Sequence, residues 1–306
     1  MNNEFCSLIK EICKENNIEC DVLSSGWILS LSKNGVRRFI SGYKFDSNGH
    51  ALGQILDDKF GTYELLRSCG IPVCEHNILY SRNNHSTYAI GCNTFSYVEE
   101  LFNKYNEDIV IKINNGTCGI NVNRFRDLEV LREFFENLNT KSSYSVCPFY
   151  NIVNEYRVIV LGGVVQTIYK KELPIVYGDG SSSIKQLLEE FNYEYFKNID
   201  DKKLDRVLDF GDEYIYSWKF NLSNGSKPSF SIDMVDNDNI LEMIYRILNQ
   251  LDLGFCSIDI IKTIENEYLV MEINSGVMMK NLIKGNDLGY NYAKEIYEKA
   301  VLALFS

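Results

Sequence analysis

Asp259, Glu272 and Asn274 are the residues in this chain whose types and spacing speak most directly of chemistry. They sit on two apolar-rich stretches, 256–262 and 268–276, separated by a polar turn at 263–266. Side chains alternate along a strand, so Glu272 and Asn274 share one face while Leu269, Met271 and Ile273 are expected on the core face. A hairpin closing symmetrically about the turn sets Asp259 opposite Val270 and so on the same face as Glu272 and Asn274. Two carboxylates and an amide oxygen converging on one point form a hard oxygen site of the kind Mg2+ uses when it also bridges substrate phosphates. The same pattern also suits a hairpin with a solvated polar face.

Two further groups carry charge in suggestive places. Lys112 ends an apolar strand, 108–113, that runs into a loop of small residues, 114–122, containing Gly116, Thr117 and Gly119. Such a loop can fold backbone N–H groups over a polyphosphate while the lysine supplies positive charge, which suits ATP. A lone pair of glycines three apart is equally an ordinary turn. Glu155 and Arg157 open a strand to Leu161, which Gly162 and Gly163 turn back into a second strand ending near Lys170 and Lys171. These four charges also suit an exposed strand surface.

The elements that must position these residues follow from periodicity. Phe5, Leu8, Ile9, Ile12 and Cys13 recur at helical spacing, and short strands are expected at 21–23, 27–31 and 37–41, making a small α/β lead-in. A helix starts within 57–62 and stops before Gly70 and Pro72. Ser96 and Glu99 read as a capping box for a helix to about Lys104, and a helix over 127–138 buries Leu128, Leu131, Phe134, Phe135 and Leu138. After Gly178, Asp179 and Gly180, a second capping box, Ser183 with Gln186, opens a helix to about Phe191. A strand at 214–220 and helices at 240–251 and 291–304 complete the pattern, with no repeat or low-complexity tract.

Composition narrows the function. The chain has 306 residues, 45% hydrophobic and 24% charged, with a net charge of −11 spread along its length. No basic surface for nucleic acid is indicated. No stretch is long and apolar enough for a bilayer, and the first residues lack an export leader. Nine cysteines without a CxxC pair and three histidines without ligand spacing suggest neither zinc nor a disulfide framework, so reduced thiols and a cytoplasmic location are the simpler reading. Cys118, in the small-residue loop, could be redox-sensitive or simply a small loop residue.

Several motifs now stand in one order: Asp58-Lys59 with Gly70 to Val73; Val110 to Lys112 with its loop; Glu155 to Arg157; Gly178 to Gly180 with Ile184; Asn221 to Ser223 with Gly225; and Ile258-Asp259 with Glu272 to Asn274. Together they resemble the ATP-grasp carboxylate–amine ligases, in particular the nucleotide-binding domains of cyanophycin synthetase and of bifunctional glutathione-synthesising enzymes. The resemblance covers about 57–276. It implies an α+β fold in which two α/β subdomains, 57–150 and 151–306, clasp ATP after a lead-in domain at 1–56. It implies that Lys59 and Lys112 contact the nucleotide phosphates, that Gly116, Thr117 and Gly119 belong to the covering loop, that Glu155 contacts the ribose, and that Asp259, Glu272 and Asn274 hold Mg2+. Arg157 and one of Lys170 or Lys171, with Lys170 taken as the catalytic one, resemble the basic residues facing the transferred phosphate.

Two departures are visible. Pro148 stands where the family usually has a hinge glutamate for adenine, and Ser275-Gly276 replaces a commonly proline-containing turn. The implied reaction activates a carboxylate as an acyl phosphate with release of ADP, and an amine then displaces phosphate. That chemistry needs charge neutralisation and positioning more than a protein nucleophile. Its partners would be small-molecule or peptide acids and amines, and the sequence also allows a homodimer. A kinase on the same fold, or a binding module without turnover, are the alternatives.

Overall fold

The computed structural model describes residues 4–84, 87–117, 119–189, 201–222, 225–285 and 287–306. Helix α1 (Glu4–Glu15) lays the expected stripe of Phe5, Leu8, Ile9, Ile12 and Cys13 into a core. Beside it, β1 (Glu19–Leu23), β2 (Ile28–Lys33), β3 (Val36–Ser41) and β4 (Lys44–Phe45) form an antiparallel sheet in sequence order. This lead-in does not close a core of its own. Leu29, Leu31, Ile40 and Phe45 share one cluster with Ile159, Tyr169 and Phe255 and with Ile296, Tyr297 and Val301 near the C-terminus.

A short helix absent from the sequence reading, α2 (His50–Leu56), precedes α3 (Lys59–Ser68), whose N-cap Asp58 accepts from the Gly61 N–H. Then come β5 (Asn77–Tyr80), α4 (Phe95–Lys104), β6 (Ile109–Ile113), β7 (Asn123–Phe125), α5 (Leu128–Glu136) and β8 (Ser143–Pro148). The α4 cap is Thr94, whose hydroxyl accepts from the Tyr97 N–H, and not the expected Ser96. Strand order is β5-β8-β6-β7. One face, including Leu79, Ile109, Ile111 and Val146, packs on Val98, Phe102, Leu131 and Phe135 of the two helices. On the other face Lys112 lies across from Ser145 and Val110 across from Cys147. Pro148 falls beyond the end of β5, where its missing N–H costs no ladder bond on that side.

Next are β9 (Ile152–Leu161), β10 (Val164–Glu172), β11 (Ile175–Tyr177), α6 (Ile184–Leu187), α7 (Asp201–Leu204), β12 (Glu213–Ile215), β13 (Lys227–Ser229), α8 (Met234–Leu248), β14 (Phe255–Thr263), β15 (Tyr268–Asn274), α9 (Lys280–Gly285) and α10 (Asp287–Ala303). Five of the strands form an antiparallel sheet ordered β13-β10-β9-β14-β15. The β9–β10 turn is Gly162-Gly163, both at positive φ as a tight hairpin requires. One face of this sheet, including Val158, Val160, Ile258, Ile260, Val270 and Ile273, packs on Ile240, Ile244 and Ile247 of α8. Each such fully buried aliphatic side chain contributes about 1.5–3 kcal/mol. Leu56, Leu66 and Ile71 join the same core, so α3 packs with the larger sheet although it belongs in sequence to the segment before it.

The strands β11 and β12 make a separate ribbon over a small cluster of Val176, Ile184, Leu188, Leu204, Leu208 and Tyr216. The Ser183–Gln186 capping box forms, but α6 is one turn long, and the expected continuation to Phe191 runs outside the described residues. The expected strand at 214–220 shrinks to β12. Helix α8 starts before Ile240 because Asp233 caps it by accepting from the Val235 N–H. Helix α10 likewise begins ahead of the expected Asn291. Among the described residues no helix is long and apolar enough to cross a membrane.

Candidate active site

The second face of the five-stranded sheet changes character along its strands. Glu155, Arg157, Ile159 and Leu161 alternate onto it from β9. At the Ile159 and Leu161 end it is sealed by the core shared with the lead-in. At the Glu155 and Arg157 end it is charged. Arg157 lies across from Tyr169 on β10 and Asp259 on β14, Glu155 across from Lys171, and Asp259 across from Glu272 on β15.

Two β-bulges decide which residues meet there, and each corrects a simpler count. A regular hairpin through Gly162-Gly163 would set Lys170 opposite Glu155, but the register slips between Val165 and Thr167. A one-residue slip exchanges the faces of everything beyond it. Lys171 therefore faces the charged cluster, and Lys170 lies across from Tyr156 on the opposite side of the sheet. The second slip, beside Asp259, adds one residue to a hairpin turn that is itself one residue longer than the symmetric count, Lys262 pairing with Tyr268, and the two together set Asp259 opposite Glu272 and not Val270. Val270 and Ile273, three apart, are the buried core positions, and Leu269 and Met271 are not.

The first group in the cluster is an ion network. Arg157 grips Asp259 with a fork, Nε to Oδ1 at 2.7 Å and Nη2 to Oδ2 at 2.6 Å. Lys171 Nζ lies 2.8 Å from Asp259 Oδ2 and 2.5 Å from Glu155 Oε1. Asp259 is 2% exposed. Burial alone would raise the Asp259 pKa, but the charges of Arg157 and Lys171 outweigh it and hold the carboxyl well below its usual range. Burial also dominates at Glu155, where Lys171 offsets only part of it and the pKa is raised. Lys171 is pushed down by burial and by Arg157, yet its two carboxylates raise it overall.

The second group bridges the two sheets. Lys59 Nζ donates to the Gly116 carbonyl at 2.6 Å and lies 3.6 Å from Glu272 Oε2. Burial pulls the Lys59 ammonium below its ordinary range, and Glu272 offsets only part of this. Lys112 is buried on the smaller sheet, and its charge is felt at Lys59 and at Glu272. Burial would raise Glu272, but Lys59 leads the interactions that lower it instead. Asn274 donates from Nδ2 to Glu272 Oε1 at 3.1 Å. His76, behind Lys112, is kept neutral by burial and by that lysine, and its Nδ1 is 2.6 Å from Ser145 Oγ.

The loop after β6 is braced from both sides. Gly116 N–H bonds to the Ile113 carbonyl, so it closes a turn instead of pointing at a ligand, and Thr117 is exposed. Gly119, at φ +64°, lies against Asn221: a Cβ would stand 2.4 Å from Asn221 Nδ2, so that side chain would have to move. Lys219 reaches the Val122 carbonyl at 2.8 Å, and Trp218 packs edge-on against Phe149, over which the Arg124 guanidinium sits at 3.2 Å. Lys219 and Tyr169 were missed by sequence reasoning, because nothing in their spacing marks them. Cys118 and Ser223 lie outside the described residues.

A magnesium ion fits the donor set. Asp259, Glu272 and Asn274 offer hard oxygens, and the Asn274 amide turns its nitrogen to Glu272, which leaves its oxygen available. Asp259 has about one acceptor position left after Arg157 and Lys171 are counted. Among the described residues no three His, Cys, Asp or Glu side chains form a metal site by themselves.

Two sheets facing each other across such a cluster define the ATP-grasp fold. The chain aligns over 96% of its length with a bifunctional glutathione synthetase from Pasteurella multocida, at TM-score 0.54 and 15% identity, covering 44% of that protein. It also aligns over 82% of its length with D-alanine–D-alanine ligase from Bacillus anthracis, at TM-score 0.51 and 14% identity, covering 68% of that chain. In sequence it is similar to the glutathione biosynthesis bifunctional protein of Listeria innocua, 25% identical over 232 residues, or 67% of this chain. The chain spans 29% of the length of that relative. No family model matches.

Proposed function

We propose that this protein is an ATP- and Mg2+-dependent ligase that joins a carboxylate to an amine and releases ADP and phosphate. The observation that carries the reading is the cluster between the sheets. Lys59, Lys112, Arg157 and Lys171 face Glu155, Asp259 and Glu272 there, with Asp58 occupied in capping α3. Four cations are thus gathered in one largely buried cluster inside a chain of net charge −11, and the Lys59 ammonium stands beside the like charge of Lys112, with Glu272 and Asp58 offsetting only part of what burial costs it. A polyanion is the ligand such a place accepts.

In the first step a carboxylate oxygen of the substrate attacks the γ-phosphorus, the bond from that phosphorus to the bridging oxygen breaks, and ADP leaves. In the second the amine nitrogen attacks the acyl carbon, the carbon–oxygen bond breaks, phosphate leaves, and the nitrogen gives up a proton. Lys59 and Lys112 are placed to neutralise the nucleotide phosphates. Arg157 and Lys171 are placed to hold the transferred group, which is the electrostatic task that dominates such reactions. Asp259, Glu272 and Asn274 would hold magnesium, which when bound supplies the largest local positive charge. Glu155, 6% exposed and paired with Lys171, is better suited to orienting that lysine than to reaching a ribose. With Pro148 at the hinge, adenine would be read by backbone groups or by another side chain.

Glutathione synthetase and D-alanine–D-alanine ligase among the similar proteins support ligation over the kinase alternative. The test is a screen of ADP formation over pairs of amino acids and short peptides. Nucleotide turnover that requires both an acid and an amine, with a condensed product by mass, is expected. ADP formation with a single stable phosphorylated acceptor would mean a kinase.

A further inference from the structure

Asp259 is committed twice. Its two oxygens offer about four acceptor positions. Arg157 takes two of these through its fork and Lys171 takes a third. The same carboxylate is the most deeply buried of the three oxygen donors assigned above to the metal. Arg157 and Lys171 are in turn the cations assigned to the transferred phosphoryl group, yet in this arrangement both point at Asp259.

We propose that Asp259 exchanges partners: without metal and nucleotide it clamps Arg157 and Lys171, and on loading it turns toward the metal and hands the two cations to the phosphoryl anion. The inference rests on the ligase reading of this site. Its physical basis is that a buried charge cannot be left unpaired, because removing one member of such a pair strands the other in a poorly solvating interior. While the site lacks an anion, Asp259 is the counter-charge that keeps Arg157 and Lys171 stable. Once metal competes for Asp259, the cations need a new counter-ion, and the phosphoryl group supplies it. The two are not equal in this. Lys171 keeps Glu155 when Asp259 turns away, whereas Arg157 loses the carboxylate that fills its fork. Arg157 is also the more exposed, its side chain 18% accessible against 5% for Lys171, so it is the member free to swing outward. The device couples two binding events: an acyl-phosphate-like anion is held tightly only after metal and nucleotide are in place.

The test is calorimetric titration of inorganic phosphate into the full chain, with and without Mg·ADP, for the wild type, Asp259→Asn and Arg157→Met. In the wild type Mg·ADP should tighten phosphate binding about tenfold or more, a coupling of ordinary allosteric size. Asp259→Asn should bind phosphate about tenfold more tightly than the wild type when no Mg·ADP is present, because Arg157 is already released and Lys171 is held by Glu155 alone. Arg157→Met should show no tight phosphate binding in either state. If Asp259→Asn without Mg·ADP binds phosphate no better than the wild type, the exchange is wrong, and the metal's own charge accounts for any coupling. A wild-type ratio near one with Mg·ADP bound overturns it as well, and that measurement stands even if Asp259→Asn fails to fold. A wild type that does not bind Mg·ADP at all would overturn the ligase reading together with the exchange.

Discussion

The two halves of the charged cluster are built on opposite principles. On β9, β10 and β14 every charge has its counter-charge within hydrogen-bonding distance: Arg157 and Lys171 on Asp259, Lys171 on Glu155. Between the sheets Lys59 leans on the Gly116 carbonyl and stands 3.6 Å from Glu272, while the Lys112 ammonium adds like charge beside it. The first half is completed by the protein itself. The second is electrostatically incomplete, and burial there lowers the Lys59 pKa where the paired half raises that of Lys171. The difference separates what folding needs from what a ligand is expected to supply.

The sharpest way to separate them is Glu272→Gln. It keeps the shape but removes a charge that belongs to the incomplete half, so turnover should fall by about 10^3-fold or more, as for loss of metal-based charge stabilisation. Circular dichroism and melting should stay close to the wild type. Near-normal turnover in a folded variant would remove Glu272 from the site.

Stability should respond in the reverse sense across the two halves. Lys171→Met leaves Glu155 and Asp259 without their shared cation and should cost about 3–5 kcal/mol in urea unfolding. Lys59→Met removes a buried and poorly compensated charge, so its unfolding free energy should stay within about 1 kcal/mol, while ATP affinity by calorimetry falls about tenfold. Equal losses of stability would erase the distinction between the halves.

Gly119→Ala tests the loop that joins them. Its backbone is left-handed, which strains any residue with a Cβ, and the added Cβ meets the Asn221 amide, so the loop's contact with that side chain must rearrange. A rise of about threefold to tenfold in the KM for ATP, with unchanged melting, is expected. An unaltered KM would show that this contact does not serve the nucleotide.

The smallest effect concerns acid. The folded pKa of Asp259 is depressed, so its stabilisation is fully present above the unfolded carboxyl range near 4 and is lost as pH falls through the lower folded value. The stability gap between the wild type and Asp259→Asn should thus be constant above about pH 5 and shrink below about pH 4. A gap that widens on acidification would mean that Asp259 is not held ionised by Arg157 and Lys171.

Much of this was legible in the sequence because it depends on local pattern. The N-terminal stripe, the Gly162-Gly163 hairpin, the helix start within 57–62, the Ser183 cap and the strand carrying Glu155 and Arg157 all follow from local turn chemistry or from spacing of two or of three to four. What failed depends on a single residue's excess. The bulges beside Val165 and beside Asp259 each shift a strand by one, which moved the expected lysine from Lys171 to Lys170 and the expected core from Val270 to Leu269 and Met271. A bulge is set by partner strands far away in sequence, so no local count reveals it. The short strands β7 and β13, at three residues each, carry too little pattern to be read.

The central claim, that a carboxylate is activated as an acyl phosphate at this cluster, is tested most directly with the acid substrate carrying 18O in its carboxyl group and hydroxylamine in place of the amine. The account predicts a hydroxamate, ADP, and one 18O atom in each phosphate released, because the oxygen that attacks the γ-phosphorus leaves with it. Release of AMP, or a phosphorylated product that stays stable and yields no hydroxamate, would contradict it.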